Sequence, residues 1–100
     1  MQLVERIEKL STFIKNYDEN NVFIESAVNK LIDYEKSKIE NELTQLKFDL
    51  KQFEKKYKKK SENFYRDFKF GKLGDKMDFI EWSSLYEMFL KNKEKVKYLW

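Results

Sequence analysis

The sequence has no cysteine, no histidine and no proline, and only two glycines in 100 residues. Without cysteine there are no disulfides, thiolate metal sites or thiol nucleophiles. Without histidine there are no imidazole ligands and no imidazole base to activate a serine. Much of ordinary enzymology goes with them, and the chain reads as non-enzymatic, with no cofactor and no metal. No apolar run approaches the roughly 20 residues of a membrane span, and residues 1–20 lack the charged-then-apolar layout of a signal peptide. The expected address is the cytoplasm, away from membranes.

What is present is charge and aromatic surface. Charged residues make up 39% of the chain, and the hydrophobic 41% includes nine Phe, six Tyr and two Trp. A chain of this length buries only a modest core, so an elongated helical body, or one completed by a partner, is expected. The net charge of +3 is too small to argue for nucleic acid by itself.

With so few helix breakers, the two clusters of turn residues carry the organisation: Asp18–Asn21 and Gly71–Asp75. Before the first, Leu3, Ile7, Leu10, Ile14 and Tyr17 recur at steps of four and three, one stripe of a helix, while Glu5, Arg6, Glu8, Lys9 and Lys15 cover the rest. Such a short amphipathic helix needs a surface to lie on. The Asn20–Asn21 pair suits a turn and N-cap. From Val22 to Lys60 nothing breaks the helix, and Ile32, Ile39, Leu43, Leu46, Leu50, Phe53 and Tyr57 keep a heptad spacing, with Lys36 in the one polar slot. That helix is expected to be on the order of 55–60 Å long.

Ser61-Glu62-Asn63 reads as a fresh helix start, followed by Phe64 and Phe68 one turn apart. After the loop, Asp78 and Glu81 have capping-box spacing. Phe79, Trp82, Tyr86, Phe89 and Val96, flanked by Leu85, Met88 and Leu90, then form an apolar helix face running toward Trp100. The expected fold is all-α: an elongated helical hairpin or coiled-coil-like bundle with one long central helix. Residues 1–60 would form the oligomerisation scaffold, and residues 61–100 a helix-loop-helix that binds a partner.

Three features bear on function. Lys51, Lys55, Lys56, Lys58, Lys59 and Lys60 surround Phe53 and Tyr57, as a phosphate-contacting patch would, and as the solvated face of a long helix would too. Asp75, Asp78 and Glu81 cluster at a helix start; paired acids can do general acid–base work or hold a hard cation, but acids also favour helix N-termini for electrostatic reasons alone. Finally, Phe79, Trp82, Leu85, Tyr86 and Phe89 offer large side chains at one-turn spacing, joined by Phe64 and Leu73 before them, with Gly71, Gly74 and Asp75 shaping the turn. Trp and Tyr are frequent interface anchors and equally ordinary core.

The same stretch carries a resemblance. Ser61-Glu62-Asn63-Phe64-Tyr65, then Phe70-Gly71-Lys72-Leu73-Gly74-Asp75, Asp78-Phe79, Glu81-Trp82 and Leu85-Tyr86 resemble the C-terminal half of small helical antitoxins of prokaryotic type II toxin–antitoxin operons. Residues 1–60 share with them only a generic amphipathic pattern. The resemblance implies a protein that binds and neutralises a toxin partner, with the aromatic residues as anchors and Asp78 and Glu81 facing basic groups of the toxin. Two other readings stand beside it: a self-associating helical scaffold, a homo-oligomer, and a nucleic-acid-binding protein using Lys51–Lys60.

Overall fold

A computed structural model describes residues 2–100. It contains α1 (Leu3–Tyr17), α2 (Val22–Tyr57), α3 (Ser61–Lys69) and α4 (Met77–Leu99), and no strand among the described residues. The fold is all-α with one long central helix, as the scarcity of breakers requires. At 1.5 Å per residue, α2 is about 54 Å long.

The helix ends follow from local chemistry. Asn21 caps α2: its Oδ1 accepts the Ile24 N–H at 2.9 Å, while its Nδ2 donates to Asp18 Oδ2 at 2.8 Å. α2 stops at Tyr57 rather than Lys60, because Lys58 turns left-handed (φ 52°) and the Lys59 N–H reaches back to the Glu54 carbonyl at 3.2 Å. That is the Schellman arrangement, built without its usual glycine. α3 ends in the same motif with the glycine present. Gly71 has φ 73°, its N–H bonds the Phe68 carbonyl at 3.0 Å, and the Lys72 N–H bonds the Asp67 carbonyl at 3.1 Å.

Two expected caps are not formed. α3 begins at Ser61 with Lys60 in the cap position and no side-chain cap; the Ser61 hydroxyl is engaged elsewhere, as described below. α4 begins at Met77 after Lys76, and Asp78 makes no capping box with Glu81. Its carboxylate is drawn across to α2 by a stronger, charge-assisted contact.

Two compact units emerge, Met1–Asp33 and Tyr34–Trp100, with the division inside α2. The second unit takes in most of α2 because Ile39, Leu46 and Leu50 are buried there, and Leu50, with Phe53 and Tyr57, joins the core built on α3 and α4. At its centre the Trp82 and Phe64 rings stack 3.8 Å apart and only 4° from parallel. Phe53 and Tyr57 stack on the same indole at 5.6 and 5.8 Å. Each such ring pair contributes roughly 0.5–1.5 kcal/mol beyond its apolar burial. Farther along, the buried Asn92 amide donates to Glu42 Oε2 at 2.8 Å, a polar contact that fixes the register of α4 on α2.

The first unit is thinner. α1 contains no buried residue. It folds back along the opening turns of α2 across a shallow groove of about 350 Å³ lined by Ile7, Leu10, Ile14 and Val28.

Candidate interaction surfaces

The structure commits two of the expected anchors to the core and packs the other apolar ones partly against it. Trp82 (0% exposed) and Phe64 (1%) lie inside the second unit. Leu73, Phe79, Leu85, Tyr86 and Phe89 are half-buried against that same core. The physical reason is that α3 and α4 fold back on the last third of α2, which supplies the apolar partner face. Of the charged pair, Glu81 is exposed and Asp78 is tied down. Gly71 and Gly74 both hold positive φ in the connecting loop, where Asp75 is exposed.

Ser61 is the residue that completes this core. Its Oγ accepts the Trp82 Nε1–H at 2.9 Å and its backbone N–H donates to Glu54 Oε2 at 2.9 Å. The indole nitrogen thus has a partner where water has no access, as a buried N–H requires.

Electrostatics close the unit at its rim. Lys56 Nζ lies 2.7 Å from Asp78 Oδ2, which also accepts the Tyr57 hydroxyl. The hydrogen bonds from Lys56 and then Tyr57 hold the Asp78 carboxyl below its ordinary range, and the same contact raises Lys56. Lys59 bonds Asp67 at 2.7 Å and lowers it likewise. Burial, followed by a hydrogen bond to Glu87, pushes the Tyr65 phenol up. Burial, followed by the fields of Glu62 and Glu54, raises Tyr86.

These pairs alter the reading of the lysine run. Lys56 and Lys59 are neutralised within the chain, and Lys58–Lys60 lie beyond the helix end, so the six cations do not form one continuous helical track for a phosphate backbone. Among the described residues no group of three or more acids gathers as a metal site would need, and Asp75, Asp78 and Glu81 do not converge. Among the described residues no helix is long and apolar enough to cross a membrane.

Exposed apolar surface is concentrated elsewhere. On α1, Leu3, Val4, Ile7, Leu10, Phe13 and Tyr17 are all exposed, Tyr17 by 82%; at the start of α2, Val22, Phe23 and Leu31 are exposed, Phe23 by 81%. The Phe13 and Tyr17 rings lie against each other tilted by 34°, their centroids 5.7 Å apart. A smaller strip runs along the outer side of α4, where Met77, Ile80 and Met88 are exposed on the side away from Trp82. A third apolar feature is an open concavity of about 590 Å³ lined by Phe48, Leu50, Tyr86 and Phe89, with Lys47 and Lys51 also among its lining residues.

Compared with protein-family models, curated proteins and solved structures, the chain gives no match. Its surfaces are therefore judged on their chemistry. In the sequence the aromatic-rich end carries the denser anchor signal; the signal for the other end is the five-residue stripe of α1.

Proposed function

We propose that the protein works by helix-mediated protein association, with α1 and the first turns of α2 as the docking surface and residues 34–100 as a folded body. One observation carries this reading: the amphipathic α1 has not one buried residue. A lone helix of this length is marginal in water, and most helices in proteins are held by packing of their apolar face. Each Leu or Phe fully buried there contributes about 1.5–3 kcal/mol, so a partner covering the stripe supplies what the chain itself does not. Chemistry by the protein itself has no constellation of groups to support it, and the reading is non-catalytic.

The narrower form of this reading is an antitoxin that neutralises a toxin by stoichiometric binding. Its support is the resemblance carried by the segments between Ser61 and Tyr86, together with the exposed Met77, Ile80 and Met88, which keep helical spacing on the open side of α4. With Trp82 committed to the core, these three, together with the exposed Phe70, are the large apolar side chains of that segment most open to a toxin groove.

The test replaces Leu10 and Phe13 together by Glu and, separately, Ile80 and Met88 by Glu, and measures binding to proteins co-purified from the native cell. Loss of partner with the α1 variant and an unchanged melting of residues 34–100 is expected. Retention of every partner by the α1 variant contradicts the docking assignment.

A further inference from the structure

Resting on that docking reading, we infer that the occupant of the α1/α2 surface is a second copy of this chain, stacked face to face and head to tail so that four helices enclose the apolar side chains. The first argument is geometric. At about 100° per residue, Leu10, Phe13 and Tyr17 lie to one side of the line through Ile7 and Ile14 that faces α2. Phe23 and Leu31 lie in the same rotational sense from the line through Ile24 and Val28 on α2. Because the two helices run in opposite directions, those displacements bring both sets to one side of the hairpin, as a single broad face rather than two separate strips.

The second argument is area. Leu3, Leu10, Phe13, Tyr17, Phe23 and Leu31 are between 47% and 82% exposed. At roughly 100 Å² of open surface apiece they offer on the order of 600 Å² per copy, and their polar neighbours extend this toward the roughly 800 Å² per partner of a stable interface.

The third argument, charge, selects the orientation. The closed end of the hairpin carries Asp18 and Glu19, while Arg6 and Lys30 lie toward its open end, Arg6 among the apolar residues of the face itself. Stacking two copies closed end on closed end sets acids against acids. Reversing one copy lays Arg6 and Lys30 over Asp18 and Glu19 of the other, and the two-fold axis repeats the match. The same reversal seats the ring-rich closed end, with Phe13, Tyr17 and Phe23, on the leaner open end with Leu3 and Leu31. Residues 1–33 hold six acids and four bases, too little net charge to keep two copies apart.

The experiment is sedimentation velocity on the full chain across a concentration series, with Phe13→Glu, Arg6→Glu, Glu19→Arg and the Arg6→Glu/Glu19→Arg double variant. Near-ultraviolet signals of Trp82 verify that residues 34–100 stay folded. The expected result is a dimer weakened at least about tenfold by each single change and largely restored in the double variant. A dimer indifferent to Phe13→Glu, or one that the double variant does not restore, overturns the inference. So does a monomer at every concentration; if α1 is then protected by some other protein, the docking reading of the previous section survives and only the choice of occupant fails.

Discussion

The indole N–H of Trp82 donates to Ser61 Oγ at 2.9 Å, inside a core that shields Trp82 completely. Ser61 heads α3 and Trp82 lies in the second turn of α4, so one hydrogen bond joins the starts of two helices. A residue placed by sequence as a helix cap therefore serves as the polar partner of the most buried ring in the chain.

Ser61→Ala leaves that buried N–H without an acceptor. The expected cost is about 1–3 kcal/mol, which for a chain of this size lowers Tm by roughly 4–8 °C per kcal/mol. Thermal melting followed by circular dichroism measures it; an unchanged Tm would show that water reaches the indole. In a Trp100→Phe background the remaining tryptophan fluorescence reports Trp82 alone, and it is expected to be blue-shifted and resistant to acrylamide.

Two helix ends make a paired prediction. Lys58 adopts the left-handed conformation without being glycine, at about 1–2 kcal/mol of strain, so Lys58→Gly is expected to raise stability by a few tenths to about 1 kcal/mol. Gly71 holds φ 73° with open space where a Cβ would stand, so Gly71→Ala costs about 1 kcal/mol through the backbone alone. Denaturant midpoints of the two variants should move in opposite directions.

The pH dependence has a definite sign. Asp78 and Asp67 are held below their ordinary range in the fold, so their contribution is present above the unfolded carboxyl value of about 3.9 and fades as pH falls through that value and below. Tyr65 and Tyr86 are raised, so theirs is present below about pH 10 and fades as pH climbs past it. Stability is expected to be flat between pH 6 and 9. Asp78→Asn should shallow the acid limb and, because the same contact raises Lys56, also remove the Lys56 share of the alkaline limb while leaving the tyrosine share in place; urea unfolding at a series of pH values reads both.

The helices and their order were legible in the sequence because periodicity and breakers act locally. The stripe from Leu3 to Tyr17 and the uninterrupted run from Val22 both became helices, and Asn21 became the cap its residue type suggests. Less legible was what each face touches. Trp82 and Phe64 have the residue types of an interface and of a core, and only the fold-back of α3 and α4 onto α2 decides between them. Asp78 likewise had the spacing of a cap, but Lys56 and Tyr57, more than 20 positions away, compete for it and prevail. Local spacing cannot register a rival that distant in the chain. The α1 stripe reads in the sequence as a helix that needs a surface to lie on, but its spacing does not say whether α2 or another chain supplies that surface.

The central claim is that α1 depends on a partner for its burial, and amide hydrogen exchange tests it most directly. In dilute protein, residues 3–17 should exchange with little protection while the core amides around Trp82 stay protected, and saturation with the partner should slow α1 exchange by roughly tenfold or more. Protection of α1 equal to that of the core in the dilute, monomeric chain would contradict the account.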